Sequence, residues 1–376
     1  MNEEIAKLHN KGKIEVTNKV EINDNETLAK VYTPGVAEVV KAIHEDKSKV
    51  NDYTIIGNTV GMFTDGTAVL GLGNVGAEAA MPVMEGKAMI YKSFADINAY
   101  PLLLNTTDVD TIVTTISTLA PSFSLIHLED ISAPNCFEIF DKLVDKVNIP
   151  VFHDDQYGTA IIVLAGLINS LKLTKRTPET SSIIINGAGA AGLAIARLLF
   201  AYGFKEICIC DSKGIVHENR TDLNKYKSEI LKLINNQNNE GNLTDAVKGK
   251  DIFIGVSVGG VLNSSMVATM NNEPIIFALA NPDPEILPSK LPVEFDGIIA
   301  TGRSDFPNQI NNAIGYPGFV KAILENNIKN IELSHFIQAA KGISSVLKDN
   351  ELQKDYIIPD VFNKNVLPSI LNNFNK

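Results

Sequence analysis

The stretch that most limits what this chain can fold into is SIIINGAGAAGLAIARLLFAYGFKEICICDSKG, residues 182–214. It reads as an apolar strand, a glycine turn, an apolar helix and a second strand that ends on Asp211. The turn carries G-x-G-x-x-G at Gly187, Gly189 and Gly192, and Asp211 follows Gly187 by 24 residues. A backbone that must turn sharply and approach a pyrophosphate at a helix N-terminus needs glycine there, and a strand-end carboxylate can accept the ribose hydroxyls. The segment therefore predicts a dinucleotide site on the whole GAGAAG run, Gly187, Ala188, Gly189, Ala190, Ala191 and Gly192. Asp211 favours NAD, because it would repel a 2′-phosphate, although Lys213 could pair with one. Further strand-like runs at 251–258, 274–282 and 297–302 alternate with helical segments, which implies a parallel, doubly wound, Rossmann-like sheet.

The chain has 376 residues, which at about 150 residues per domain suggests two domains. The first 155 residues differ in character from the rest. YTPGVAEVVKAIHED predicts an extended entry and a helix after Pro34, and TVGMFTDGTAVLGLG predicts β structure with a turn at Asp65-Gly66. EAAMPVMEGKAMIYKSFA has helical periodicity that Pro82 and Gly86 are expected to break. Short strands at PLLLNT and FSLIHLED alternate with helices. The expectation is α/β throughout: a smaller N-terminal α/β domain, residues 1–155, followed by the Rossmann-like domain, residues 156–376. AIIVLAGLINSLKL, 160–173, would be the helix leading into the second, and INNQNNEGN, 234–242, a surface loop.

Charge and cysteine usage exclude several function classes. Lys and Arg total 33 against 44 Asp and Glu, a net charge of −11, which disfavours nucleic acid and anionic membranes. No apolar core follows the start, so no signal peptide is expected, and apolar runs such as 160–168 are about half of a membrane span. Cys136, Cys208 and Cys210 form no C-x-x-C pair, so neither a disulfide framework nor a cysteine zinc site is expected, and a reducing cytoplasm fits.

Two acidic pairs stand at predicted strand ends, Glu129-Asp130 in IHLEDIS and Asp154-Asp155 in IPVFHDDQYGTA. A strand-end D-D is often a cap or turn, but two such pairs ahead of one dinucleotide fold suit a hard divalent cation with oxygen ligands. His153 reads as a packed or hydrogen-bonded histidine rather than a ligand. A second glycine pattern, Gly71, Gly73 and Gly76, lacks a following strand that ends in Asp or Glu, and reads as a tight structural or substrate-side turn. Taken singly, Lys87 and Tyr32 carry little signal.

In order along the chain stand YTPGVA, VLGLGNVG, MEGKA, LEDI, HDDQYGTA, GAGAAG, ALANPDPE and NNAIGYPG, with YIIPDVF near the end. Together they closely resemble the malic enzymes of the short bacterial type, from about residue 30 onward. The resemblance implies oxidative decarboxylation of (S)-malate to pyruvate and CO2, with reduction of NAD or NADP and a requirement for Mg²⁺ or Mn²⁺. It makes Tyr32 the general acid, Lys87 the general base, and Glu129, Asp130 and Asp155 the metal ligands. Asp154 would orient and tune Lys87, whose pKa must be lowered for it to be neutral. Asn281 and one of Asn311 and Asn312, with Asn312 the choice, would hold malate and the nicotinamide end of the cofactor.

Two positions depart from the family's pattern. Ala68 stands where larger members have an arginine that grips a substrate carboxylate, and Tyr157 stands where many bacterial members have histidine. The appended acyltransferase-like domain of some relatives is not expected. Rival readings are a metal-dependent oxaloacetate decarboxylase on the same scaffold, a malolactic activity with retained cofactor, and a redox-sensing binding module without chemistry. The apolar stretches AEVVKAI and MPVMEGKAMI are too numerous for one small domain to bury, and malic enzymes are oligomers. Both points predict a homodimer through the N-terminal domain, with Tyr32 either serving its own subunit's site or supplied across the interface, and a hinge near 155–160.

Overall fold

A computed structural model describes residues 2–234 and 240–374. Most of the predicted Asn-rich loop, 235–239, therefore lies outside the described residues. The chain forms two sheets. The first has four parallel strands in the order β2-β1-β3-β4, with β1 at Thr59–Thr64, β2 at Asn98–Leu103, β3 at Leu125–Leu128 and β4 at Val151–His153. The second has six, in the order β10-β9-β8-β5-β6-β7. Its strands are β5 at Ser182–Asn186, β6 at Glu206–Asp211, β7 at Gly214–Ile215, β8 at Ile252–Gly255, β9 at Ile275–Ala278 and β10 at Ile298–Thr301. All its pairings are parallel except that of the short edge strand β7.

Uniform burial explains why these strands are short continuous apolar runs rather than alternating ones. Every residue of β1, β3, β5, β8 and β9 is buried, as expected of parallel strands covered on both faces. The chain leaves β5 for β6 on one side and returns to β8 on the other. That reversal opens a crevice at the carboxyl ends of β5 and β8, where doubly wound sheets bind ligands.

The Thr159–Thr174 helix joins the two sheets and buries eleven of its sixteen residues. Together with the turn before it, Asp154–Thr174, it is long and apolar enough to cross a membrane, unlike the half-span the apolar run suggested. Its burial is that of a central core helix, and one apolar core runs from the first sheet through it into the second. Asn169, buried on this helix, donates to the carbonyls of Ser344 (3.1 Å) and Ile357 (3.0 Å), tying down the C-terminal segment.

Three local expectations need correction. The Ala77–Ala95 helix runs unbroken through Pro82 and Gly86. Proline removes one intrahelical hydrogen bond, but Ala80, Met84, Ala88, Tyr91 and Ala95 form a buried stripe along the helix, and that packing outweighs the loss. Asp65-Gly66 does turn the chain, with Asp65 Oδ1 accepting from Thr67 N (3.0 Å), yet no second strand pairs back. The neighbours of β1 are β2 and β3, and residues 67–76 form a loop. Finally, the helices after β10 return to the first sheet, where Phe319 packs on Phe152 with ring centroids 5.2 Å apart.

Candidate active site

Register brings the two acidic pairs together. Leu128 of β3 lies opposite His153 of β4, so Glu129-Asp130 and Asp154-Asp155 leave adjacent parallel strands at the same level. Asp130 takes a positive φ of 53°, and its N–H donates to Asp155 Oδ2 at 2.8 Å. After β4 the chain makes a widened π-helical turn, Asp154–Gly158. A Cβ on Gly158 would lie 1.8 Å from Asp154 Oδ1, so only glycine lets that carboxylate fold back beneath the turn.

Lys87 enters from the Ala77–Ala95 helix, on the side of Met84 and Tyr91. Its Nζ pairs with Asp154 Oδ2 and lies 3.0 Å from Glu129 Oε1. Asn312 donates to the same oxygen of Asp154, whereas Asn311 is spent capping the next turn by accepting from Ala313 N (2.9 Å). Behind Glu129 stand two residues that the sequence reading missed. Glu129 Oε2 bonds His127 Nε2 at 2.7 Å, and His127 Nδ1 bonds the Tyr91 hydroxyl at 2.8 Å, both groups fully buried. Tyr316, also missed, donates to the Lys87 carbonyl at 3.3 Å, and its ring centroid lies 5.0 Å from Lys87 Nζ. A histidine inside the four-residue strand LIHL, every position of which is buried, was the available signal, since buried polar side chains need a partner.

The electrostatics are those of one cation among four carboxylates. Burial alone would push Lys87 down, but the charges of Asp154 and Glu129 outweigh it and hold the ammonium well above its ordinary range. The expected lowering rests on burial together with a nearby cation, and burial, the first of these, does act on Lys87 in that direction. Burial likewise opposes ionisation of Glu129, yet Lys87 and His127 keep its carboxyl below the usual range. Asp130 and Asp155 are pushed up, first by burial and then by Glu129 beside them. Burial pushes His153 down to about 3, so it is a neutral packed histidine.

The site's donor set fits a hard divalent ion. Oxygens of Glu129, Asp130 and Asp155 lie within 4.8 Å of one another, and Asp130 Oδ2 and Asp154 Oδ1 are buried without a hydrogen-bond partner. Such orphaned carboxylate oxygens are costly unless a cation or proton engages them. His127, Glu129 and Asp154 form a second close group, but Lys87 already occupies it.

Asp155 and Asn312 also line a cavity of about 1370 Å³ that reaches the second sheet. It is large enough for a dinucleotide together with a small acid. Gly189, Ala190 and Ala191 line it, as do Asn281 and the loop after β8. The three motif glycines differ in why they are glycine. Gly187 has φ +130° and a Cβ there would meet Val256 O at 2.6 Å; on Gly192 a Cβ would overlap Gly187 O at 1.7 Å. On Gly189 it would meet nothing within 4 Å, which leaves an open cradle at the helix N-terminus. The loop carrying Gly71 and Gly73 lines the same cavity, as a substrate-side turn would. Glu285, missed in the sequence reading, is fully buried and accepts from Ser257 N (3.1 Å) and Ala280 N (3.0 Å), bracing the loops after β8 and β9.

Other predicted residues lie apart from the cluster. Tyr32 follows the Asn25–Val31 helix, is 66% exposed and does not line the cavity. Ala68 lines the cavity, where Lys290 is the basic lining residue among those described. Tyr157 is buried and stacks on Phe336 with centroids 4.2 Å apart, a packing role away from the carboxylates. Asp211 ends β6 beside the glycine turn, where Gly187 N donates to Cys210 O (2.8 Å), but its carboxylate is already engaged by Arg220 and Lys227. Lys213 Nζ pairs with Asp222 at 2.7 Å.

Comparison with known proteins agrees with this geometry. Residues 11–108 and 104–144 match the family model for the malic enzyme N-terminal domain, and 156–289 that for the malic enzyme NAD binding domain. A bifunctional malic/malolactic enzyme of Bacillus subtilis is 49% identical over 98% of this chain and 91% of its own length. An NAD-dependent malic enzyme of Geobacillus stearothermophilus is 46% identical over 96% and 76% respectively. The crystal structure of an NAD-dependent malic enzyme from Thermotoga maritima superposes with a TM-score of 0.93 at 43% identity, covering 99% of this chain and 98% of that one. With both domain models matched in order and a relative at 49% identity along nearly its whole length, the chain belongs to the malic enzyme family.

Proposed function

We propose that this chain oxidises and decarboxylates (S)-malate to pyruvate and CO2 with reduction of NAD(P), using a divalent cation held by Glu129, Asp130 and Asp155. The observation that carries the reading is the juxtaposition of Lys87 with those carboxylates at the mouth of a dinucleotide cleft. When bound, the cation supplies Lewis acidity at the hydroxyl and carboxylate oxygens, and the nicotinamide supplies the hydride acceptor.

The chain's own residues do the rest. Asn281 and Asn312 present amides to the substrate from the second sheet's side of the cleft. Asp154 and Tyr316 hold Lys87 in place, so that Nζ faces the position of the substrate hydroxyl. With Glu129 and Asp155 holding a cation, the negative field on Lys87 weakens, leaving Asp154 to orient the amine, and Lys87 then takes the hydroxyl proton as malate is oxidised. The loss of CO2 leaves an enolate that needs a proton at C3, and the phenol of Tyr32 delivers it.

Tyr32 is the exposed member of this set, and its surroundings support a dimer. The Val36–Glu45 helix beside it buries none of its residues, while Val31, Val36 and Val40 are exposed there. A two-fold partner that covers this apolar face brings Tyr32 of the partner subunit to the cleft, so one site draws on two chains. The turn that carries Asp154 and Asp155 lies between the first sheet and the part of 156–376 that carries the second, and a hinge there would let the second sheet move while the helices after β10 stay packed on the first. Closure there would move the nicotinamide toward the carboxylates.

The test is stoichiometry. With (S)-malate and Mn²⁺, one NAD(P)H should form per pyruvate released. Pyruvate from oxaloacetate with no turnover of malate would favour the decarboxylase, and lactate without free NADH the malolactic reaction.

A further inference from the structure

Asp211 stands at the end of β6, where the adenosine ribose of a dinucleotide belongs, yet it has no acceptor position left to offer. A carboxylate has about four such positions. Oδ1 accepts from Lys213 N (2.9 Å) and Arg220 Nη1 (2.8 Å). Oδ2 accepts from Arg220 Nη2 (3.0 Å) and Lys227 Nζ (2.6 Å). A ribose diol would have to displace one of these charge-assisted bonds.

Arg220 is spent as well. Its Nε and Nη2 donate to Asp222 at 2.9 and 2.8 Å, so the guanidinium lies between two carboxylates and is 10% exposed. The two lysines are not spent. Each ammonium has three donors, and one of each is engaged: by Asp222 for Lys213 and by Asp211 for Lys227. Three cations face two carboxylates, which leaves the cluster with a net charge of +1.

We propose that Arg220 masks Asp211 and that Lys213 and Lys227 receive a 2′-phosphate, so that this chain takes NADP, contrary to the preference Asp211 alone implies. Asp211 is then a positioning residue, holding the Lys227 ammonium and the Lys213 backbone N–H while Asp222 holds the Lys213 ammonium, rather than a ribose ligand. The proposal rests on the cleft being a dinucleotide site and adds which dinucleotide it selects.

The experiment is calorimetric titration of the full chain with 2′,5′-ADP and with 5′-AMP, which differ only in the 2′-phosphate. The 2′-phosphorylated fragment should bind about tenfold tighter or better, the worth of one charge-assisted bond. That advantage should shrink as salt rises. Lys227→Gln and Lys213→Gln should each reduce it. Arg220→Met, which unmasks Asp211, should reverse it. If Arg220→Met does not fold, the lysine variants carry the test. Equal or tighter binding of 5′-AMP by the unsubstituted chain, or lysine variants that keep the full advantage, overturns the proposal while leaving the dinucleotide site standing. If neither fragment nor either intact dinucleotide binds, the reading of the cleft falls and the proposal falls with it.

Discussion

The charges around Lys87 and those around Arg220 are assembled to opposite ends. Around Lys87, one cation faces Glu129, Asp130, Asp154 and Asp155, and the oxygens Asp130 Oδ2 and Asp154 Oδ1 are buried without partners. Around Arg220, three cations face two carboxylates, and each oxygen of Asp211 is bonded twice. The first cluster lacks positive charge; the second has a surplus. A buried set of carboxylates that cannot all ionise together is poised for a cation, whereas a saturated cluster with lysines at its rim is poised for an anion. On the two proposals above, one fold carries a complement for each charged end of the chemistry, and the net −11 of the chain describes neither cluster.

The contrast breaks most severely at the first cluster. Asp155→Asn keeps the shape but removes a charge, and kcat should fall about a thousandfold, since such Lewis-acid stabilisation is worth several kcal/mol. Steady-state rates with and without added Mn²⁺ check this, and a near-normal kcat would remove Asp155 from the ligand set. Next in size is complementation. Tyr32→Phe and Lys87→Ala chains should each be nearly inactive alone. Mixed in equal amounts and reassorted, they should recover about a quarter of normal activity, because half the dimers are mixed and each of those keeps one intact site. No recovery from chains shown to exchange would place Tyr32 in its own subunit's site.

The same two variants separate the half-reactions. Lys87→Ala should impair hydride transfer, and Tyr32→Phe should impair ketonisation of enolpyruvate, each by about a hundredfold or more. The reverse pattern would exchange their roles. The smallest effect belongs to the saturated cluster. Although burial opposes it, Arg220 and Lys227 depress the Asp211 carboxyl to about 2. A depressed acid adds stability that is present above its unfolded pKa and lost as pH falls through the folded one. Between about pH 4 and pH 2 the chain should lose at most about 2 kcal/mol from this group. Asp211→Asn should flatten that part of the acid limb in urea unfolding followed against pH; an unchanged slope would mean that the ion pairs contribute nothing.

What could be read from the sequence follows the range of each signal. The strand, glycine turn, helix and second strand of 182–211 are set by neighbours within a few residues, and each appears where the pattern puts it. Pro82 misled for the same reason: a local penalty was read without the buried stripe that overrides it. The meeting of Lys87 with Asp154 spans 67 residues and that of Asn312 with Asp154 spans 158, distances over which spacing says nothing. Lys87 and Asn312 were named only by family resemblance, whereas Asp154 stood out as half of a strand-end acidic pair whose role the resemblance then supplied. Arg220 and Lys227 were missed because they lie on an irregular loop and the short Lys225–Leu231 helix, with no periodicity to mark them as facing Asp211.

The central claim is that the carboxylates at the ends of β3 and β4 form a divalent-cation site. Calorimetric titration of the full chain with Mn²⁺ tests it without any turnover. One ion should bind per chain, and Asp155→Asn and Glu129→Gln should each weaken that binding by about a hundredfold or more while the circular dichroism spectrum stays unchanged. An isotherm that either substitution leaves intact, or no saturable binding at millimolar Mn²⁺, would contradict it.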